Sequence, residues 1–467
     1  MTWDITNGSL GIATLRPLYA TGTLLPQVVL RAVHARIATR GADGTWIHVV
    51  PEVEALQRLE ELEAARGRGT ELPLFGIPFA VKDNIDVAGL PTTAACPAYG
   101  YVPAVSAPAV ARVLEAGAIC IGKTNLDQFA TGLCGVRSPY GVCRSVFDAR
   151  YPAGGSSSGS AVAVGAGLAS FALGTDTGGS GRIPAGFNNI VGLKPTPGRV
   201  STRGVVPACR SLDCVSVFAL DCADAGEVFS VMAGYDPADP FSRHAPEDAV
   251  SAPDHGFRFG VPVRAEAGFF GNEAARSLFA GAVARLAGLG GTPVEVDYAP
   301  FAEVGAMLYS GPWVAERHAA VGAFVAAHPD AVLPVTAAII DSAGRRLASE
   351  AFAQSYRLHE IQRALETVWA VIDFLVVPTS GTAYTIDQFE SEPVSLNNHL
   401  GYFSYPANLL ALSALALPNG WLPDGPAMGI TLLAPAFAEQ RLLTHGAAWQ
   451  AALGFPSGPQ GRAARHG

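Results

Sequence analysis

The stretch from Tyr151 to Thr175 constrains the fold most, because it contains no charged residue and yet consists mainly of glycine, serine and alanine. Its length suits a membrane span, but its small and hydroxyl-bearing side chains do not supply the apolar surface of a lipid-facing helix. Glycine and serine also favour loops and close approach of backbones. The stretch therefore predicts a buried loop followed by a tightly packed helix inside a large domain.

The rest of the composition describes a compact globular protein. Hydrophobic residues make up 49% of the 467 positions and charged residues 15%, which excludes a disordered chain. The formal net charge is −9 without a basic stripe, so we expect no nucleic-acid partner. The seven cysteines contain no CxxC pair, which disfavours a disulfide framework and a zinc site. Since no basic and apolar leader is present at the N-terminus, we expect a cytoplasmic enzyme that acts on a small molecule and does not bind membranes.

Apolar periodicity divides the chain into segments. Residues 1–66 predict a helical N-terminal segment, and a main domain extends over 67–454. Its core, at 76–230, alternates strands with helices, which indicates an α/β fold whose sheet is covered on both faces. A mostly helical region at about 237–383, which we expect to recognise the substrate, contains the strand-like run FLVVP near its end. Closing strands and a helix follow at 397–454. We expect the tail at 455–467 to be disordered.

Two short motifs suggest other chemistry. Residues 117–124, GAICIGKT, fit the phosphate-binding pattern GxxxxGK[ST], but a helical pattern precedes the first glycine and the intervening residues are strand-like, so no amide cradle can form. Residues 155–159, GSSSG, fit the GxSxG nucleophile elbow around Ser157. The residues before this motif do not resemble a strand. A Ser-His-Asp hydrolase using a later histidine, such as His399 or His445, nevertheless stays an alternative.

Lysine is rare in this chain, which uses arginine for most of its 31 basic residues. Arginine does not lose its proton in proteins, whereas a buried lysine can, and a lysine can therefore serve as a general base. Lys82 ends the apolar run GIPFAV, where a strand would deliver its side chain to a buried site. We interpret Lys82 as a candidate base, and Lys123 and Lys194 as packing or salt-bridge residues.

Two serine- and glycine-rich stretches flank the predicted small-residue helix, GGSSSGS at 154–160 and GTDTGGSGR at 174–182. Together they bring several hydroxyls and unhindered backbone N–H groups into one buried region. Glycines on the N-terminal side of Ser180 allow consecutive N–H groups to point to one spot, which is the geometry of an oxyanion hole. Tight glycine packing without chemistry is the alternative interpretation.

The motifs KDN, GGSSSGSA and GTDTGGSGRIPA, in this order and spacing, resemble the amidase signature family, most strongly over 76–197. The resemblance implies a central mixed β-sheet between helices and a Ser-cisSer-Lys catalytic set. Ser180 would be the nucleophile, Ser156 the bridging hydroxyl that follows a cis peptide bond, and Lys82 the base, with no cofactor or metal ion. The resemblance also assigns the oxyanion hole to the backbone N–H groups of Thr177, Gly178, Gly179 and Ser180. It assigns the support of this loop to the charged side chains of Asp176 and Arg182.

The chemistry of these residue types agrees with that assignment. A neutral Lys82 amine can accept a proton from Ser156 while Ser156 accepts one from Ser180, so the nucleophile is activated without histidine. This relay requires the pKa of Lys82 to lie well below its ordinary value, and burial among small residues would lower it.

Four further stretches resemble one branch of that family, the allophanate hydrolases: GLPTTAACPAY, ATGLCGVRSPYG, LYSGPWVAER and NHLGYFSYPANLLAL. In that branch a tyrosine and an arginine hold the substrate carboxylate, which implies Tyr309 and Arg317 here. Their spacing of eight would set both on one face of a single helix, whereas Gly311 and Pro312 favour Tyr309 before a helix and Arg317 within it. Arginine can bind a carboxylate bidentately and so select a small anion over neutral amides. Pairing of Arg317 with Glu316 or another surface acid is the alternative.

The resemblance implies hydrolysis of the terminal amide of allophanate (urea-1-carboxylate), with release of ammonia and of N-carboxycarbamate, which goes on to carbon dioxide. This chain departs from the branch at YFSYPAN, where a Thr-Asn-Phe-like run is usual, and in having no smaller C-terminal domain, so we expect a shortened chain or a stand-alone amidase. We expect a homodimer, with a further domain or partner that decarboxylates the product. A generalist amidase, the glutaminase component of an amidotransferase and a non-enzymatic scaffold remain alternatives.

Overall fold

The computed structural model describes residues 3–246, 256–459 and 461. The strands in these residues are β1 (Trp46–Val49), β2 (Pro78–Lys82), β3 (Ile119–Thr124), β4 (Phe171–Asp176), β5 (Val191–Lys194), β6 (Cys214–Ala219), β7 (Phe257–Val263), β8 (Gly291–Asp297), β9 (Phe374–Pro378), β10 (Ser413–Trp421) and β11 (Ala427–Ala434). They form an 11-stranded sheet in the order β1-β3-β2-β4-β6-β5-β10-β11-β9-β7-β8. The pairs β2–β3, β2–β4, β7–β8 and β7–β9 are parallel and the other neighbours antiparallel, so the predicted mixed sheet is confirmed.

Helices pack on this sheet. They are α1 (Ile12–Ala20), α2 (Pro26–Arg40), α3 (Glu52–Gly67), α4 (Pro108–Glu115), α5 (Ser158–Gly165), α6 (Ile183–Phe187), α7 (Cys222–Met232), α8 (Glu273–Gly288), α9 (Ala299–Ser310), α10 (Val314–Arg317), α11 (Ala323–Ala327), α12 (Pro334–Asp341), α13 (Ala348–Trp369), α14 (Ile386–Ser391), α15 (Ser395–Leu400), α16 (Pro406–Leu409) and α17 (Glu439–Ala451). Helices α5 and α6 contact each other and strands β4 and β11, while α7 and α17 contact each other and strands β6 and β10. No helix in the described part of the chain combines the length and apolarity that a membrane crossing requires.

The charge-free stretch of the sequence forms the buried centre of the fold. All eight residues of α5 are buried, and its glycines permit close approach of neighbouring backbone. A Cβ on Gly159 would lie 2.2 Å from the carbonyl oxygen of Thr45, closer than any side chain allows. The prediction of a buried loop and helix is confirmed in this stretch, and its small residues allow α5 to lie directly against β4.

Parallel pairing of β2 with β4 positions the polar residues that follow the two strands. The pairing aligns Phe79 with Phe171 and Val81 with Leu173, and the rings of Phe79 and Phe171 stack at 5.1 Å between centroids. Parallel strands end at the same edge of a sheet, so Lys82 at the end of β2 lies next to the end of β4. The loop that follows Asp176 therefore begins beside Lys82.

Two segments predicted as helical contain strands as well. In the N-terminal segment, β1 lies between α2 and α3 and pairs antiparallel with β3, and the N–H of Val50 extends the pairing to Ile121. In the region at about 237–383, β7 and β8 form the opposite edge of the sheet, in addition to the predicted strand at FLVVP. The alternating apolar signal of β7 and β8 is weak, because several of their residues are half-exposed and each strand contains glycine and proline.

The prediction of a disordered tail from residue 455 is wrong for residues 455–459. The ring of Phe455 packs on Trp421 at 4.8 Å between centroids. The N–H of Gly458 donates to the carbonyl of Asn189 at 2.8 Å, and Asn189 donates in return to the carbonyl of Pro456. The single aromatic residue at the start of the tail supplies this anchor. The tail prediction for 460 and 462–467 lies outside the described residues.

Candidate active site

Three polar side chains form a continuous hydrogen-bonded chain at the edge where β2 and β4 end. Lys82 Nζ lies 2.8 Å from Ser156 Oγ, and Ser156 Oγ lies 2.8 Å from Ser180 Oγ. Lys82 and Ser156 are fully buried, and Ser180 is 3% exposed. The peptide bond between Gly155 and Ser156 is cis. The structure thus brings together all three residues expected to perform the catalysis, in the expected order.

Thr175 is a further partner of Lys82 that the sequence did not reveal. Its Oγ1 accepts a hydrogen bond from Lys82 Nζ at 2.7 Å and a longer one from the side-chain amide of Asn84 at 3.3 Å. Thr175 is the penultimate residue of β4, so a regular strand delivers its hydroxyl. Threonine is common in strands for reasons of packing alone, and its role therefore gives no separate signal in the sequence.

Burial lowers the pKa of Lys82 from 10.5 to about 7. Removal of the amine from water disfavours its charged form, and this effect outweighs the opposing attraction of Asp127, Asp213 and Asp176. The positive charge of Arg317 lowers the pKa of Lys82 further. Near neutral pH, a substantial fraction of Lys82 is therefore unprotonated and able to accept a proton.

Asp176 organises the loop that carries Ser180. Its carboxylate accepts hydrogen bonds from the backbone N–H groups of Gly179 and Gly181, both at 2.9 Å, and forms a fully buried ion pair with Arg182. Burial by itself would raise the pKa of Asp176, but the Arg182 guanidinium holds it below its ordinary value. Arg182 extends the bracing to the carbonyl of Ser404 at 2.9 Å and to Asn408 Oδ1 at 3.0 Å.

These contacts change one part of the expected oxyanion hole. The N–H of Gly179 donates to Asp176 and so is not directed to a reacting oxygen, contrary to the prediction. The N–H groups of Thr177, Gly178 and Ser180 donate to no group in the part of the chain that the structure describes. Since Gly179 has a φ of +140°, the chain turns sharply at this point, which explains why successive N–H groups do not all face the same way.

The segment YFSYPAN, where the sequence departs from its expected pattern, supports this same loop. Ser404 Oγ donates to the carbonyl of Gly178 at 2.7 Å. Asn408 Nδ2 donates to the carbonyl of Asp176 at 2.8 Å. Both side chains are buried, so this departure preserves a hydrogen-bonded wall behind the loop rather than opening it to solvent.

Tyr309 and Arg317 meet as expected, and Tyr309 lies before the helix that carries Arg317, as Gly311 and Pro312 predict. Tyr309 lies in the last turn of α9, Gly311 ends that helix, and Arg317 ends the separate four-residue α10. Two helices therefore carry the pair, and the one difference from the expectation is that Tyr309 lies within a helix of its own, α9. Arg317 Nη2 donates to the hydroxyl of Tyr309 at 3.0 Å, and Arg317 Nη1 donates to Thr131 Oγ1 at 3.3 Å.

Arg317 is buried, with only 2% of its surface exposed. Glu316, its suggested partner, instead accepts hydrogen bonds from the backbone and hydroxyl of Ser211. No carboxylate in the described residues forms an ion pair with Arg317, although Asp213 lies close enough for each to affect the other's pKa. The positive charge of Arg317 therefore acts on its surroundings without being neutralised by a direct salt bridge.

The other two lysines have partners of their own. Lys123 pairs with Asp83 at 3.1 Å, with both side chains fully buried, and also donates to Thr92. Lys194 donates to the carbonyl of Pro195 at 2.9 Å and lies 3.8 Å from Cys214 Sγ. The interpretation of both as packing or salt-bridge residues is confirmed.

The structure does not support either misleading motif. The residues ICIGKT form strand β3 itself rather than a loop, with α4 ending just before them. Ser157 Oγ donates to the carbonyl of Thr175 at 3.1 Å. The candidate histidines lie elsewhere: His399 bonds to Tyr384 and stacks on Phe270, and His445 packs against the rings of Phe257 and Phe374. The contacts of His399 and His445 therefore give no support to a Ser-His-Asp hydrolase that uses either of them.

Comparison with known proteins places these residues in a family. The family model named Amidase matches residues 28–443. A urea amidolyase from Lachancea kluyveri is 43% identical over 86% of this chain, and the chain spans 22% of that relative's length. A glutamyl-tRNA(Gln) amidotransferase component from Symbiobacterium thermophilum is 36% identical over 94% of the chain and 96% of the relative.

A solved structure of Kluyveromyces lactis allophanate hydrolase has the same fold. It superposes with a TM-score of 0.91 at 39% identity, over 98% of this chain and 75% of the solved one. The similarity therefore extends over nearly the whole of this chain, in both sequence and fold. From the motifs, the hydrogen-bonded Lys82, Ser156 and Ser180, and these matches together, the chain belongs to the amidase signature family and is an amidohydrolase.

Proposed function

We propose that this chain hydrolyses allophanate at its terminal amide. The observation that carries the proposal is the buried Arg317 guanidinium, which donates to Tyr309 and forms no ion pair with a described carboxylate. Burial of a charge is costly unless a partner compensates it, and a carboxylate matches a guanidinium in shape and charge. Allophanate is the smallest amide that pairs a urea group with such a carboxylate.

Ser180 would attack the carbonyl carbon of the terminal amide. Its hydroxyl proton passes to Ser156, while the proton of Ser156 passes to the neutral amine of Lys82. The carbonyl oxygen becomes an oxyanion, and the N–H groups of Thr177, Gly178 and Ser180 are the donors available to it. Collapse of this intermediate breaks the carbon–nitrogen bond, and the relay returns a proton to the departing nitrogen, which leaves as ammonia.

Water then completes the reaction. It attacks the acyl-enzyme ester, gives its proton to the same relay and releases N-carboxycarbamate, while Ser180 regains its proton. The product carries two carboxylates on one nitrogen and goes on to carbon dioxide. We propose that this loss of carbon dioxide is either spontaneous or the work of a further domain or a partner.

Ammonia release measured with freshly prepared allophanate tests the proposal. The expected result is rapid release from allophanate, slow release from acetamide and none from the Ser180→Ala variant. Labelling of a single serine by a fluorophosphonate would separately exclude an inert scaffold. If the parent enzyme released ammonia from acetamide as fast as from allophanate, it would be a generalist amidase.

A glutaminase activity is the second candidate, because the amidotransferase relative matches almost the whole chain. Glutamine also carries a carboxylate, but its α-amino group adds a positive charge that would approach Arg317. An assay with glutamine therefore distinguishes the two substrates. Homodimerisation and a cytoplasmic location complete the proposal, and sedimentation of the purified chain tests the former.

A further inference from the structure

The cavity that reaches Tyr309 has one charged residue in its wall. It has a volume of about 610 Å³. Its apolar wall comes mostly from Pro334, Val335, Ala338, Ile339 and Val394. Of the described residues that line it, Arg137 alone is charged. Ser310, Ser342 and Asn398 add uncharged polar groups to this wall, so among the described lining residues Arg137 supplies the charge that attracts a small anion such as allophanate.

Arg137 forms no ion pair with any residue that the structure describes. The residue is 2% exposed, and its guanidinium donates to the backbone carbonyls of Thr131 and Pro393. Its Nε has no hydrogen-bond partner within the described residues. The carboxylate of Asp127 accepts from the backbone N–H groups of Gly135 and Arg137 rather than from the guanidinium. The positive charge of Arg137 acts on the pKa of Asp127, but the two side chains do not form a salt bridge.

Thr131 connects this arginine to Arg317. Arg137 Nη1 donates to the carbonyl of Thr131 at 2.8 Å, and Arg317 Nη1 donates to the hydroxyl of the same residue at 3.3 Å. Two buried guanidiniums thus meet at one threonine, and both affect the pKa of Tyr309. Like charges held this close repel each other, and an anion placed beside them relieves that repulsion.

We infer that Arg137 is a second cation for recognising the substrate carboxylate, placed on the cavity side of the Tyr309/Arg317 pair. This inference rests on the proposed function, since it deepens the choice of an anionic amide. Arg137 attracts the anion through the apolar cavity, and Arg317 with Tyr309 then fixes it beside Ser180. Selection for a carboxylate is therefore shared between one arginine in a loop and another at the end of α10.

Substitution of Arg137 tests this role. Arg137→Gln should lower kcat/KM for allophanate roughly tenfold to a hundredfold, mostly through KM, and weaken inhibition by malonate, while slow turnover of a neutral amide stays within about twofold. Arg137→Lys should retain most of the preference for the anion. Arg144→Gln, which removes an exposed charge from the same stretch of chain, is the matched control and should behave as the parent. Equal losses on neutral and anionic substrates would show that Arg137 only holds Thr131 and Pro393 in place.

The dependence of kcat/KM on ionic strength tests the inference in the parent protein, without a variant. In the parent, kcat/KM for allophanate should fall as salt is added, whereas the value for a neutral amide should not. The decrease of kcat/KM for allophanate with added salt should be smaller in Arg137→Gln and should persist in Arg137→Lys. A flat slope in the parent overturns the inference even if the glutamine variant does not fold.

Binding of malonate, measured by calorimetry, separates this inference from the proposed function. If the parent did not hydrolyse allophanate but bound malonate in a way that depends on Arg137, the proposed function would fail and the inference would stand. If allophanate were hydrolysed but malonate bound equally to the parent and Arg137→Gln, the inference alone would fail.

Discussion

Thr175 Oγ1 lies 2.7 Å from Lys82 Nζ, slightly closer than the 2.8 Å between that nitrogen and Ser156 Oγ. The amine is therefore held by two hydroxyls, of which one leads to the nucleophile and the other belongs to a regular strand. A neutral amine has one lone pair. When one N–H of Lys82 donates to Thr175, the amine can rotate less freely, and its lone pair can be held toward Ser156. Thr175 is thus a positioning residue for the base, and it lies outside the set expected from the sequence.

Loss of either serine should stop or nearly stop turnover. Ser180→Ala removes the nucleophile, so we expect no ammonia release above background. Ser156→Ala breaks the path between Ser180 and Lys82, and the rate should fall about 10³-fold or more, although a water molecule can replace part of the bridge. Single-turnover assays with allophanate measure both. A near-normal rate for Ser156→Ala would refute the relay.

Replacement of the base should change both the rate and its pH dependence. The parent should show an ascending limb of kcat/KM near pH 7, because Lys82 acts when neutral and burial lowers its pKa to about 7. Lys82→Arg should be inactive at every pH, because arginine keeps its proton. A pH profile of the parent, with His399→Ala as a control, checks the assignment. A profile that the control variant flattens would point to histidine as the base.

Thr175→Val should slow the chemical step without weakening substrate binding. The two side chains have nearly the same shape, but valine leaves Lys82 without its 2.7 Å acceptor. We expect kcat to fall about tenfold with KM unchanged, which corresponds to the loss of one hydrogen bond. Thr175→Ser should restore most of the rate. If Thr175→Ser were as slow as Thr175→Val, the methyl group rather than the hydroxyl would be what matters.

Removal of the carboxylate-binding pair should change specificity as well as rate. Arg317→Ala deletes a charge-assisted contact worth about 1.5 to 3 kcal/mol, so kcat/KM for allophanate should fall about tenfold to a hundredfold, and malonate should no longer compete. Tyr309→Phe removes one neutral hydrogen bond and should cost less. Because Arg317 also lowers the pKa of Lys82, the comparison is made well above pH 7, where Lys82 stays neutral, and turnover of neutral amides should there be almost unchanged in both variants. Equal loss on both kinds of substrate would mean that Arg317 only supports the fold.

Because the pKa of Lys82 is lowered by folding, the folded protein should become less stable as pH falls. The pKa of Lys82 is 10.5 in the ordinary case and about 7 in the fold, so the unfolded chain binds a proton that the native state excludes between these values. The free energy of unfolding therefore declines as pH falls from about 10.5 to about 7 and then levels off.

Methionine in Lys82→Met cannot bind that proton. The free energy of unfolding of the variant minus that of the parent should therefore rise as pH falls from about 10.5 to about 7. The melting temperature of the variant minus that of the parent should be greater at about pH 6 than at about pH 10, by roughly a few degrees. Loss of the hydrogen bonds to Ser156 and Thr175 adds a constant that does not depend on pH. The same difference at both pH values would contradict the lowered pKa.

The sequence identified the three hydrogen-bonded residues Lys82, Ser156 and Ser180 more readily than the residues around them, for physical reasons. Lys82 was recognisable because lysine is rare here and ends an apolar run, and Ser156 and Ser180 because their glycine-rich neighbours form distinctive motifs. Thr175 and Arg137 gave no such signal, since a threonine in a strand and an arginine in a loop are ordinary choices. Their roles depend on contacts with residues distant in sequence, such as Lys82 for Thr175 and Pro393 for Arg137.

The same limit explains the differences in the fold. Short apolar runs bounded by glycine and proline made the central strands predictable, whereas β7 and β8 are partly exposed and contain glycine and proline within the strand itself. The direction of the N–H of Gly179 could not be read from the glycine pattern, because it depends on where the carboxylate of Asp176 lies. Composition predicts which residues can form a loop, but not which of their N–H groups remain free.

The separation of catalytic and recognition residues along the chain bears on how such an enzyme can acquire new substrates. Lys82, Ser156 and Ser180 all lie between β2 and the loop after β4, whereas Tyr309 and Arg317 belong to α9 and α10, more than a hundred residues later. Exchange of the α9–α10 segment between relatives would leave the bond-breaking machinery in place. One constraint limits such grafting: a Cβ on Gly178 would lie 2.5 Å from Leu308, so the donor segment must keep the same close fit against the nucleophile loop.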